Sequence, residues 1–296
     1  MQILIKYIII FILFLFLSSS LFAQNLQGFV YDAHTNEKLS LCNISFFKSN
    51  KGTNTNEQGW YKIDISNHLN DSIKISYIGY ASKTIALKEF VNKEKLYTLD
   101  IQLIEKTNQL KEVKIESSNA KYTKQHTLGE VKKANVGLFS VIGYETACLI
   151  ENPYDKNGRL KRITLDLKKN HEADFIAKFN IKIYRFDKEN NKPGEELLTK
   201  NLIIAPENRS YKLRIDVLEM KIPFPKDGIC IGIELIDPNN ESKSGDRIGP
   251  GFRFTFKESK PLTWFNFRGK GWFNNYLDQK QNKGNLMVGI DVLLPE

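Results

Sequence analysis

The sequence predicts an all-β protein built as two successive β-sandwiches, and three observations carry that expectation. Apolar residues alternate with polar ones at a spacing of two through most of the chain. Clusters of Gly, Asn, Asp and Pro interrupt the alternation at short intervals. No amphipathic stripe at helical spacing and of useful length separates the strand-like runs. The chain has 296 residues, 41% hydrophobic, 26% charged and 11% aromatic, with a mean hydropathy of -0.37. That is enough apolar material for packed cores, and it excludes a polytopic membrane protein, a collagen and a wholly disordered chain.

Residues 1–23 form a leader: Lys6 as a short positive start, an apolar run from Tyr7 to Leu17, then Ser18 to Ser20 and Leu21-Phe22-Ala23 before Gln24. This is the pattern of a secretory signal peptide, with cleavage expected after Ala23 and export as the consequence. The apolar run is shorter than the roughly 20 residues of a spanning helix, and an uncleaved N-terminal anchor is the alternative. No Cys follows the cleavage point, so lipid attachment is not expected there.

The first sandwich is expected over residues 24–104. Its strands read from Phe29 and Tyr31, Ile44 and Phe46, Tyr61, Ile63 and Ile65, and Ile73, Ile75 and Tyr77. The run Gly52-Thr53-Asn54-Thr55-Asn56-Glu57-Gln58-Gly59 supplies a turn whose Gly and Asn residues tolerate positive φ. Tyr77 to Tyr80 reads as a strand with a bulge at Gly79.

Three blocks here resemble a known family: Gly28-Phe29-Val30-Tyr31-Asp32 with Thr35 and Leu39; Gly52-Thr53 through Asn56 with Gly59, Tyr61 and Ile63; and Ser76-Tyr77-Ile78-Gly79-Tyr80. The resemblance is to the carboxypeptidase regulatory-like domain, a transthyretin-like β-sandwich of exported Bacteroidetes proteins. Leu99 to Leu103 resembles its closing strand, and Leu110-Lys111-Glu112-Val113 the segment that leads into the plug of TonB-dependent receptors. The resemblance covers about a third of the chain and implies an accessory module with no catalytic residues to carry over. Too few residues follow for the barrel of such a receptor.

Residues 105–133 read as a basic linker, with one strand at Val113 to Ile115, and residues 134–296 as a jelly-roll-like β-sandwich. Its strands are expected around Ile163 to Leu167, Phe179 to Ile183, Leu213 to Val217, Ile229 to Leu235, Phe252 to Phe256 and Met287 to Leu293. Ile181 to Leu198 resembles a strand-turn-strand of exported bacterial jelly rolls.

Charge and motifs narrow the function. The net charge of +9 is carried by 35 Lys and only 8 Arg without an Arg-rich stripe, so no nucleic-acid partner is expected. Cys42, Cys148 and Cys230 lack the spacing of a metal or redox motif; they read as small buried hydrophobes, with one disulfide as the alternative. His34-Thr35-Asn36-Glu37 spells HxxE but falls in a turn, His171 does not open HExxH, and His68 and His126 read as loop residues. No GxSxG elbow, phosphate loop or Cys beside His in sequence occurs. The chain therefore carries no legible catalytic motif and no expected cofactor, apart from a candidate calcium loop at Asp237, Asn239, Asn240, Glu241 and Asp246 whose residues are equally ordinary turn formers.

The segment from Trp264 to Tyr276 holds six aromatics around Gly269-Lys270-Gly271 and reads as a hairpin. Trp264, Phe267, Arg268, Trp272, Asn274 and Tyr276 offer rings and hydrogen-bonding groups suited to a sugar, while alternate aromatics at strand spacing more often pack a core, which is the favoured reading. The expected function is an exported, non-enzymatic binding or assembly module of the cell envelope. It would reside in the periplasm or at the outer membrane, with a periplasmic or outer-membrane protein or an envelope glycan as partner. The alternatives are a carbohydrate-binding accessory protein using the hairpin and a hydrolase with an unrecognised site.

Overall fold

The structure is a computed structural model that describes residues 24–90, 96–106, 121–130, 136–243, 245–256, 260–274 and 284–296. The leader, the strand expected at Val113 to Ile115 and Tyr276 lie outside the described residues. The described chain is all-β; only two short 3-10 turns, Leu87–Phe90 and Leu218–Met220, interrupt the strands. Among the described residues no helix is long and apolar enough to cross a membrane.

The first sandwich comprises β1 (Asn25–Asp32), β2 (Asn43–Phe46), β3 (Gly52–Asn54), β4 (Trp60–Asp64), β5 (Ser72–Ser76), β6 (Lys83–Ala86), β7 (Leu96–Thr98) and β8 (Ile101–Leu103). One sheet has β1 between antiparallel β4 and parallel β7 and β8; the other runs β3-β2-β5-β6. Leu26, Val30, Ile44, Phe46, Tyr61, Ile63, Ile73, Ile75, Ile101 and Leu103 fill the space between the sheets. The chain between β7 and β8 crosses so close over Gly28 that any Cβ there would collide with the Leu99 carbonyl.

Two expectations are corrected here. Phe29 and Tyr31 face outward; the buried side of β1 is Leu26, Gly28, Val30 and Asp32. Asp32 points inward because its carboxylate accepts the His34 and Thr35 backbone N–H groups (2.7 and 2.9 Å) and the Tyr80 hydroxyl. The Tyr80 hydroxyl and the backbone donors hold its pKa down to about 2. Tyr77 to Tyr80 is a turn rather than a bulged strand, closed by Tyr80 N–H on Tyr77 O (3.1 Å), with Gly79 at φ 79°.

The second sandwich comprises β9 (Tyr122–Gly129), β10 (Val136–Leu138), β11 (Tyr144–Ile150), β12 (Gly158–Lys168), β13 (Phe175–Ile176), β14 (Lys178–Asp187), β15 (Lys192–Glu196) and β16 (Leu202–Ile204). It continues with β17 (Tyr211–Asp216), β18 (Pro223–Phe224), β19 (Ile229–Ile236), β20 (Ile248–Gly249), β21 (Gly251–Thr255), β22 (Thr263–Phe267), β23 (Asn285–Leu286) and β24 (Val288–Pro295). An eight-stranded sheet runs β10-β21-β12-β24-β9, with β17 and β18 also on β12 and β23 on β21. A six-stranded sheet runs β15-β14-β19-β11-β22, with β16 on β14. Between them pack Ile163, Leu165, Leu167, Phe179, Ile181, Ile183, Ile231, Ile233, Phe252, Phe254, Val288 and Ile290, as the alternation anticipates.

The segment read as linker contributes β9 to this sandwich, paired along β24 from Gly129↔Gly289 to Tyr122↔Pro295. His126 therefore lies in a strand, with its ring beside Tyr154. All three cysteines are buried and unpaired.

Candidate functional site

The six-stranded sheet has two covered faces. Every residue of β19 is buried, including Cys230, Gly232 and Glu234 on the side away from the sandwich core. Strand parity sends Asn180, Lys182 and Tyr184 of β14 to that same side, opposite the core-facing Phe179, Ile181 and Ile183. The register then lays out cross-strand rows: Asn180, Glu234, Glu145 and Asn266 in one, Lys182, Gly232, Ala147 and Trp264 in the next.

These rows assemble a buried ionic network. Lys182 Nζ lies 3.1 Å from Glu234 Oε2 and 3.5 Å from Glu145 Oε2. The Tyr184 hydroxyl donates to Glu145 Oε1 at 2.7 Å. Burial raises the Glu145 pKa against the pull of Lys182. Burial opposes ionisation of Glu234 too, but Lys182, the Asn43 amide and Arg268 outweigh it and hold its pKa low. Lys182, although desolvated, is kept firmly protonated by Glu145 and Glu234. At the margin Glu196 is pushed up to about 7, first by burial, and its Oε1 has no hydrogen-bond partner among the described residues.

The first sandwich covers one end of this face. Asn43 Nδ2 donates to Glu234 Oε1 at 2.8 Å across the domain boundary. Arg268, only 4% exposed, sends Nη1 into the first sandwich, where it donates to Thr53 O (2.9 Å), Asn43 Oδ1 (3.1 Å) and Asn54 Oδ1. Desolvation lowers the Arg268 pKa to about 10, which leaves it charged at neutral pH. Its backbone sits in the left-handed region at φ 45°, the turn geometry that aims the side chain at the other domain. Gly143, at φ 86°, makes room for it: a Cβ there would lie 2.5 Å from Arg268 Nε. Lys74 Nζ to Gly269 O (2.7 Å), Lys270 Nζ to Ser49 O, Thr53 Oγ1 to Asn240 Oδ1 (2.8 Å) and Asn240 Nδ2 to Asn54 O (3.0 Å) also cross the seam.

The hairpin forms as the sequence suggests, with Phe265 and Phe273 exchanging backbone hydrogen bonds (2.7 and 3.0 Å). Its proposed sugar-facing residues are not presented together. Trp264, Phe267 and Arg268 are buried, while Trp272 and Asn274 are half-buried. Trp264 packs with Ala147, Leu149, Tyr184 and Cys230, and Trp272 meets the Tyr184 ring edge-on. Arg268 thus serves the domain seam, and core packing accounts for the buried aromatics.

The calcium candidates are engaged in turn contacts. Asp237 Oδ2 accepts Ser242 N–H and Oγ–H (both 2.7 Å), Asp246 Oδ2 accepts Lys243 N–H (2.7 Å), and Asn239 Nδ2 donates to Glu241 (3.2 Å). Among the described residues no group of three or more His, Cys, Asp or Glu is placed to hold a metal. Glu145, Lys182 and Glu234 went unread in the sequence. The signal for them is polar residues on the parity opposite a fully apolar one, within strands such as Ile229–Ile236.

Residues 26–115 match the family model of the CarboxypepD_reg-like domain. The first sandwich is a carboxypeptidase regulatory-like domain. No curated protein matches the chain. Among solved structures, the cysteine protease and lectin-like domains of Cwp84, a surface layer associated protein of Clostridium difficile, align at 11% identity and TM-score 0.34, over 51% of this chain and 32% of that one. This chain thus spans about a third of the length of that structure. A candidate carbohydrate-binding protein from Bacteroides uniformis aligns at 11% identity and TM-score 0.25, over 92% of this chain and 99% of that one. A DUF3823 family protein from the same organism aligns at 8% and 0.20, over 92% and 100%. Matches this loose assign neither ligand nor reaction. The regulatory-like domain is joined through Arg268 and Glu234 to the second sandwich.

Proposed function

We propose that the protein is an exported, non-enzymatic binding or assembly module of the cell envelope, working in the periplasm or at the outer membrane. The observation that carries this reading is the seam: buried Arg268 and Glu234 fasten the regulatory-like domain onto the jelly-roll-like sandwich. Lys182, Glu145, Glu234 and Tyr184, which could otherwise do chemistry there, are paired with one another. The product is one two-domain body with sheet edges turned outward. Among the described residues β6 pairs only with β5, and β9 only with β24, so both leave backbone groups for a partner strand.

Photo-crosslinking in intact cells tests this, with the reactive group at exposed Gln125 on β9 and at Thr84 on β6. The expected result is a discrete adduct with an outer-membrane or periplasmic protein from one of these positions. Turnover of a peptide or cell-wall substrate by the purified chain, abolished by a single substitution, would replace this reading with a hydrolytic one.

A further inference from the structure

The outward side of β1 carries Phe29 and Tyr31, and Trp60 of β4 stands directly opposite Phe29 in the antiparallel register. Directly opposed residues share a face, so the three rings form a half-buried aromatic row on the solvent side of the regulatory-like domain. Phe29 and Tyr31 have ring centroids 6.0 Å apart at 46°, and Lys38 Nζ lies 3.9 Å from the Phe29 centroid. At its Tyr31 end the row opens into a hollow of about 350 Å3 lined by Tyr31, Asn36, Lys83, Asp100 and Gln102. That volume falls within the roughly 300–1,000 Å3 of small-molecule sites.

The lining is held by backbone. Gln102 of β8 neighbours Tyr31 in the parallel register. Asp100 Oδ1 is fixed by the Phe29 N–H at 2.8 Å. Asn36 is left-handed at φ 57° and its N–H donates to Asp32 O at 3.0 Å. The one ammonium and the one carboxylate cancel, so an anionic ligand meets Asp100 and a cationic one meets Lys83. A purely apolar ligand would strip water from four polar side chains without replacing their hydrogen bonds. A neutral ring with hydroxyls at its edge satisfies all five residues: its C–H face lies on the phenol, and its hydroxyls exchange hydrogen bonds with the two amides, the carboxylate and the ammonium.

We propose that this hollow is a subsite for a neutral sugar residue, with the Tyr31-Phe29-Trp60 row supporting adjoining residues of the same glycan. The site is separate from the hairpin and from the domain seam, and it can stand or fall independently of the assembly role.

The test presents the full chain to an array of neutral and acidic oligosaccharides, then measures the strongest neutral binder by titration calorimetry. Tyr31→Ala and Gln102→Ala, both solvent-side substitutions, should each weaken binding about tenfold or more, the scale of one lost stacking or hydrogen-bonding contact. Trp272→Ala should stay within about twofold of the parent. Thermal melts of the two hollow variants should superimpose on the parent. Undiminished binding in both hollow variants, loss confined to Trp272→Ala, retention of acidic probes alone, or no neutral oligosaccharide retained by the parent would each overturn the proposal.

Discussion

Replacing Arg268 by Gly isolates the energetic worth of the domain seam, because Gly adopts φ 45° without strain and only the side chain is lost. Three acceptors lose the guanidinium: Thr53 O, Asn43 Oδ1 and Asn54 Oδ1, all in the regulatory-like domain, although Asn43 Oδ1 keeps the Asn54 Nδ2–H donor at 2.8 Å. Losing each of these charge-assisted bonds costs about 1 kcal/mol or more. Glu234 in addition loses one of the two cations that keep it ionised while buried. Recovery of guanidinium hydration offsets part of this, and the net matches the roughly 3–5 kcal/mol seen when one member of a buried charged set is removed. Urea unfolding read by tryptophan fluorescence and circular dichroism should show one transition for the parent. For the variant it should show an earlier or split transition, since Trp60 reports the first sandwich and Trp264 and Trp272 the second. Hydrogen exchange should accelerate across residues 43–54. Superimposable unfolding curves with unchanged protection there would refute the idea that this arginine bolts the domains together.

Further outcomes follow from other residues. Glu196 has a folded pKa of about 7, above its unfolded value near 4.3, so its ionisation penalises the folded state as pH rises from about 4.5 to 7. That penalty reaches about 4 kcal/mol at most. Glu196→Gln should therefore match the parent near pH 4.5 and exceed it in unfolding free energy at pH 8; a parent-minus-variant difference that is flat across this range contradicts the assignment. Gly28→Ala should destabilise by at least about 2 kcal/mol, because the obstructing atom is backbone and cannot swing away; a thermal midpoint within error of the parent would count against the crossing of residues 99–100 over β1. Burial pushes the Cys42 and Cys148 thiols up to about 12, and Cys230 is raised as well. A disulfide reagent at pH 8 should thus titrate three thiols only after denaturation, and fast labelling of the native chain would argue against these packed positions.

Strands with one wholly apolar parity were legible in the sequence. Ile163, Leu165 and Leu167, Phe179, Ile181 and Ile183, and Ile229, Ile231, Ile233 and Leu235 all face the core. β1 was read with its faces exchanged because its aromatics lie outside while half of its buried side is Gly28 and Asp32, residues without hydrophobic weight. β9 escaped notice because Tyr-Thr-Lys-Gln-His-Thr-Leu-Gly carries little apolar material and is held largely by backbone pairing to β24. The seam was illegible for a different reason. Asn43 and Glu234 lie 191 positions apart, and no local pattern reports which domain will cover a sheet face. Arg268 was singled out for its aromatic surroundings, yet its partners are in the other sandwich.

The first and last strands among the described residues share a placement. β1 lies between β4 on one side and β7 and β8 on the other, and β24 lies between β12 and β9. Each is an interior member of its sheet, so clipping either end would split a sheet down its middle instead of trimming a border. The earliest stretch of the described fold to leave the ribosome must wait for segments some 70 positions later before its second side is satisfied, and β9 must wait for β24, some 160 positions later. The first of these sheets can close early and the second only late, which keeps β9 pliable while the chain between it and β24 is still emerging.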